Sequence, residues 1–148
     1  MKILVINGPN LNMLGKRDAK QYGTLTLAQI NKQLGSFAES LSVSLKFFHS
    51  NHEGEIIDYL QEETDSADGI LINPGALTHY GYSLRDALID TKLPIVEVHL
   101  SDIDRREDFR KIDVLAGIAL DNIKGLQEKS YILGLEKLIN YIRNNSKV

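Results

Sequence analysis

The sequence predicts an α/β domain built on a five-stranded parallel sheet. Three observations carry this reading. Short apolar runs alternate five times with longer stretches of helical periodicity, as right-handed βαβ units require. The first run, residues 3–6, is continuous and rich in β-branched side chains, which fits a strand buried on both faces. The chain has 148 residues, room for one domain around one core. Five strands in that length fit the flavodoxin-like order 2-1-3-4-5, with helices on both faces of the sheet.

Each element follows from local pattern. After the first strand, Leu27, Ile30, Leu34, Phe37 and Leu41 recur at helical spacing, and Thr26 with Gln29 forms a capping box at the helix start. Residues 43–48 are the second strand. Ile56, Ile57 and Leu60 mark one side of a helix over 55–63. Residues 69–72 and 94–98 are the third and fourth strands. Between them, Leu84, Ala87 and Leu88 share the face of a helix over 83–90. Ile132, Leu135, Leu138, Ile139 and Ile142 define the last helix. A fifth strand must precede it within 117–126, although Asp121, Asn122 and Lys124 interrupt the apolar run. Each of the three prolines sits at a strand end. The charge cluster at 104–111 reads as a solvated helix face. No repeat, low-complexity tract or linker divides residues 1–148, which form one expected domain.

Composition narrows the function. With 17 basic and 20 acidic residues the net charge is −3, which gives no grip on nucleic acid or on an anionic membrane. The absence of cysteine removes disulfides and thiolate metal sites. No apolar run approaches the roughly 20 residues of a membrane span. The short N-terminal run ends at Asn7-Gly8-Pro9-Asn10, so it reads as a core strand rather than a secretory signal, and a cytoplasmic location is expected.

Polar residues then converge. Ligands of open α/β sheets bind beyond the carboxyl ends of the strands, near the switch in strand order. Strand 1 ends in Asn7-Gly8-Pro9-Asn10, strand 3 in Asn73-Pro74-Gly75 followed by Thr78-His79, and strand 4 in His99-Leu100-Ser101. In the expected order these three strands are neighbours. The chain lacks a Gly-x-Gly-x-x-Gly fingerprint, a Walker-type loop, a Gly-x-Ser-x-Gly elbow and an acidic pair after strand 1. Four histidines without zinc-like spacing give no reason to expect a metal.

Acid–base chemistry remains. Glu97 and His99, two apart on one strand, share a face. A carboxylate beside an imidazole fixes its tautomer and favours the imidazolium, which makes His99 a candidate general acid. The pair also fits a core histidine bonded to a buried glutamate. Its place at a strand terminus beside Ser101 favours the acid.

The segments Asn7-Gly8-Pro9-Asn10-Leu11-Asn12-Met13-Leu14-Gly15-Lys16-Arg17 and Tyr22-Gly23 are the first two of five motifs. The others are Asn73 to His79, Leu84-Arg85-Asp86-Ala87, and Glu97-Val98-His99 with Leu100-Ser101. In order and spacing, nearly end to end, the chain closely resembles type II 3-dehydroquinate dehydratase. That resemblance implies anti elimination of water from 3-dehydroquinate through an enolate, giving 3-dehydroshikimate, with no cofactor, metal or Schiff-base lysine. The reaction is a step of the shikimate pathway and also serves quinate breakdown.

By the same resemblance Tyr22 takes the C2 proton. A free phenol titrates near pH 10, and Arg17, five residues away, would supply the charge that favours phenolate. The Gly15 to Gly23 loop suits a mobile lid. Without the motif it would read as an ordinary surface loop. Asn10 would stabilise the enolate, His99 would protonate the leaving hydroxyl, and Glu97 would orient His99. Leu100 and Ser101 backbone N–H groups, with the Ser101 hydroxyl and Asn73, would meet the substrate carboxylate. His79 and Arg110 would hold ring hydroxyls, with Arg106 at the site's edge. Asp86 would reach a neighbouring subunit's site in a trimer, four trimers making a dodecamer.

The chain departs from the family pattern at Asp18-Ala19, Asp102, Gly81, His49 and 111–115. Loss of the usual lid proline should loosen the lid. Two other readings are a flavodoxin-shaped module that holds a nucleotide or flavin, and a non-catalytic scaffold. The missing phosphate loop argues against the first, and the retained Arg17, Tyr22 and His99 against the second.

Overall fold

The computed structural model describes residues 1–145; the last three positions of the expected domain lie outside the described residues. Strand β1 (Lys2–Asn7) is flanked by β2 (Ser44–His49) and β3 (Gly69–Asn73), with β4 (Ile95–Val98) and β5 (Asp121–Ile123) following. All pairings are parallel and the order is 2-1-3-4-5, as expected. Helices α1 (Ala19–Tyr22), α2 (Leu27–Ser40), α3 (Glu53–Glu63), α4 (Tyr82–Thr91) and α5 (Lys129–Asn145) complete the fold.

Alternation along the strands divides the core into two halves. Ile3, Val5, Leu71, Val96 and Val98 face α2 and α5, where Leu34, Tyr131, Leu135 and Leu138 are fully buried. Leu4, Ile6, Ile70, Ile72 and Ile95 face α3 and α4. Each such side chain contributes roughly 1.5–3 kcal/mol by leaving water. The central strands are therefore apolar throughout, which is why they are plain in the sequence. The α2 capping box forms as read: Gln29 N–H donates to Thr26 Oγ1, and Thr26 N–H donates to Gln29 Oε1.

The fifth strand lies within the expected 117–126, whereas the 104–111 cluster differs from expectation. β5 is made of the residues that break the apolar run, Asp121 and Asn122, with Ile123 buried. An edge strand has one ladder to complete and needs little apolar surface. The 104–111 cluster is not a helix face. It forms two single 3-10 turns, Ile103–Arg105 and Asp108–Lys111. Its only apolar side chain, Phe109, is exposed and the buried Ile103 just precedes the cluster, so a continuous helix would have no stripe to bury.

Register brings Asn7 beside Asn73 at the carboxyl edge, and Glu97 beside Asn122. The exits of β1 and β3 then touch. Gly8 N–H donates to the Asn73 carbonyl at 2.8 Å, and a Cβ on Gly8 would lie 2.4 Å from the Pro74 carbonyl oxygen. Gly8→Ala should therefore destabilise the fold by about 1–3 kcal/mol or more, since backbone must move to admit the methyl. Urea denaturation reads this directly, and an unchanged midpoint would contradict the close approach.

Candidate active site

The three strand exits enclose a cavity of about 110 Å³ at the carboxyl edge of the sheet. The β1 exit contributes Asn10, whose backbone is left-handed at φ 70° and whose N–H donates to Asn51 Oδ1 at 2.9 Å. Asparagine tolerates that conformation better than most residues. The β3 exit contributes Asn73 and His79, and the β4 exit His99, Leu100 and Ser101. Arg17 and Tyr22 enter from the lid, and Arg110 from the second 3-10 turn. Asp86 is exposed on α4 and does not line its own chain's cavity.

Glu97 stands behind the cavity, fully buried. Its Oε1 lies 2.6 Å from His99 Nε2, and Thr78 Oγ1 donates to the same oxygen at 2.6 Å. A carboxylate accepts, so Nε2 carries the hydrogen and Nδ1 is the ring nitrogen not held by Glu97. Thr78 also lies 3.1 Å from Asp113 Oδ1, and its single proton serves the shorter contact. Asp113 is supplied instead by Leu115 N–H and the Asn122 amide. Glu97 Oε2 has no partner, so Thr78 and His99 are its whole support among the described residues. Thr78→Val should consequently lower kcat by about tenfold with KM little changed, because a buried carboxylate that loses a donor no longer holds the imidazole in place. Steady-state kinetics test this, and an unchanged kcat would show that Thr78 is dispensable.

The loop expected to act as a lid runs between Gly15 and Gly23, both at positive φ. Asp18 caps α1 by accepting from Lys20 N–H, and Gln127 Nε2 donates to the Ala19 carbonyl. The Arg17 guanidinium lies 3.7 Å from the Tyr22 ring centroid, over its face. The phenol oxygen itself accepts from Arg106 Nη1 at 2.6 Å. Two guanidiniums thus lie against this phenol, one over its ring and one bonded to its oxygen. Sequence reasoning placed Arg106 at the edge of the site. The structure puts it in contact with the Tyr22 hydroxyl, while Arg105 next to it is exposed. Helical periodicity gave no signal, because in 3-10 turns the inward position is set by the buried Ile103.

His79 Nδ1 donates to the Ile112 carbonyl at 2.7 Å, which leaves Nε2 for a ligand hydroxyl. Arg110 is held by Glu107 at 2.8 Å. The N–H groups of Leu100 and Ser101 donate to no other group among the described residues, and both residues line the cavity. With three guanidiniums and no carboxylate on its lining, the cavity suits an anion. Beside it, burial holds the His49 imidazole below its ordinary range, partly offset by a Gly8 backbone contact. A larger cavity of about 540 Å³ lies beyond Arg106, against the start of α5, and its lining includes neither His99 nor Tyr22.

A family model described as "Dehydroquinase class II" matches residues 1–139. The chain is 48% identical over 145 residues to the 3-dehydroquinate dehydratase of Halothermothrix orenii, covering 98% of each. It is 55% identical over 139 residues to that of Roseiflexus castenholzii, covering 94% of this chain and 88% of the relative. The crystal structure of the type II dehydroquinase from Butyrivibrio crossotus superposes with a TM-score of 0.91 at 42% identity. That match covers 94% of this chain and 97% of the other.

Proposed function

The chain belongs to the class II dehydroquinase family, and from that premise we propose that it dehydrates 3-dehydroquinate to 3-dehydroshikimate. Tyr22 as phenolate takes the C2 proton. The C–H electrons pass into an enolate, whose oxygen Asn10 stabilises. The carbonyl re-forms, a double bond forms between C2 and C1, and the C1–O bond breaks as His99 delivers a proton to the departing hydroxyl. Water leaves, and solvent returns the proton from Tyr22 to His99. Arg17 over the ring and Arg106 at the oxygen hold Tyr22 in place, and Glu97 orients His99. The substrate carboxylate meets Leu100 N–H, Ser101 and Asn73, while His79 and Arg110 hold ring hydroxyls.

One observation carries this reading: a phenol bonded to a guanidinium and an imidazole bonded to a buried carboxylate line the same small cavity. Supplying the chain with 3-dehydroquinate should produce the ultraviolet absorbance of the conjugated enone. No enone beside a working positive control would overturn the assignment.

The enzyme works as a homo-oligomer in this reading. A cavity of 110 Å³ is small against the roughly 300 Å³ or more of ordinary ligand sites, so the lid opens to admit substrate. Tyr80, Tyr82 and Ile89 are exposed near Asp86, an apolar face that a neighbouring copy would cover. Asp86 then reaches the neighbour's site in a trimer, and four trimers make a dodecamer. Native mass spectrometry tests the count. The reaction serves the shikimate pathway or quinate breakdown in the cytoplasm; among the described residues no helix is long and apolar enough to cross a membrane.

A further inference from the structure

Three buried polar side chains behind the cavity form a chain whose direction is set at one end by the backbone. Gly75 N–H donates to Asn73 Oδ1 at 3.1 Å. A backbone N–H cannot reverse its role, so the amide must present Oδ1 to Gly75 and Nδ2 to its other neighbour. That neighbour is the Tyr131 hydroxyl, which accepts from Asn73 Nδ2 at 2.9 Å. Having accepted, the hydroxyl directs its own proton onward, and it donates to Asn7 Oδ1 at 2.6 Å. Asn7 must then turn Nδ2 away, and that atom is buried with no partner. An orphaned buried donor is destabilising and calls for a reason. The reason lies in the chain itself: Asn7 gives up one donor so that its Oδ1 can take the Tyr131 proton, and the hydroxyl is then left to accept from Asn73.

The geometry points to Tyr131 as a positioning residue whose hydroxyl anchors Asn73 through one Nδ2 hydrogen, while Gly75 N–H fixes which way the amide faces, so that Asn73 offers the cavity its other N–H donor for a carboxylate oxygen. Tyr131 is fully buried on α5 and never lines the cavity. Burial pushes its phenol up, partly offset by the Asn73 hydrogen bond, so it stays protonated and can donate to Asn7. The second Nδ2 hydrogen of Asn73 is the donor left free. In a lining of arginines and free backbone N–H groups, a donor is the polarity that an anionic ligand needs. This inference rests on the reading in which Asn73 meets the substrate carboxylate.

Steady-state kinetics of Tyr131→Phe, Asn73→Ala and the double variant, well below their melting temperatures, test it. Phe keeps the ring packing and removes only the hydroxyl. Tyr131→Phe should raise KM by about tenfold with kcat within about twofold, because binding is lost and chemistry is not. Asn73→Ala should raise KM at least as much, and the double variant no further, since Tyr131 acts through Asn73. A role in stability alone would lower the melting temperature and leave KM in place. If Asn73→Ala raises KM and Tyr131→Phe does not, the positioning role is wrong and the substrate reading stands. If neither raises KM, Asn73 does not bind substrate and both fall. Should Tyr131→Phe fail to fold, a wild-type crystal structure at atomic resolution decides. Asn73 Nδ2 against Tyr131 supports the inference, and Oδ1 in that place overturns it.

Discussion

Tyr22→Phe is expected to lower kcat by about 10²- to 10⁴-fold while substrate affinity stays within a few-fold of wild type. The ring is preserved, so Arg17 keeps its place over the aromatic face at 3.7 Å and the lid keeps its packing. Only the oxygen that accepts from Arg106 is lost. Stopped-flow enone formation measures kcat, and calorimetry with substrate measures affinity. Normal turnover in the Phe variant would assign the base to another group. Arg106→Lys can restore a charge but not the fixed planar fork, so it should impair turnover less than Tyr22→Phe does.

His99→Asn is the second large effect, with kcat expected to fall by about 10²- to 10⁴-fold. An amide cannot deliver a proton to a leaving hydroxyl. The substitution also strips Glu97 of its imidazole partner, and a buried carboxylate left with Thr78 alone destabilises the fold. A lowered melting temperature should therefore accompany the kinetic loss. The two variants differ in deuterated solvent. His99→Asn retains the base and should still exchange the C2 hydrogen of substrate, whereas Tyr22→Phe should lose exchange and elimination together. Full exchange in the Tyr22 variant would place proton abstraction elsewhere.

Legibility followed the physics of each element. β1 and β3 were plain because burial on both faces leaves an unbroken apolar run. The Thr26 and Gln29 capping box and the α5 stripe were plain because both depend on neighbours within a turn or two. β5 was blurred because an edge strand tolerates Asp121 and Asn122. The 104–111 segment was misread because charge density says nothing about helix continuity without an apolar stripe. At the site, Glu97 with His99 could be paired from spacing, since two residues on a strand share a face. Thr78, Tyr131 and the bond from Arg106 to Tyr22 were invisible, since their partners lie 19, 58 and 84 positions away.

By itself the amino-acid order determined the strand sequence, the strand exits where ligand would sit, and the residue types able to move protons. Those features are set by local periodicity and by motifs a few residues long. Tertiary structure alone decided which guanidinium touches the phenol, which hydroxyl supports Glu97, and which way the Asn73 amide faces. Each of these is a hydrogen bond between chain segments far apart in sequence, and its direction depends on what else the partner has already donated or accepted.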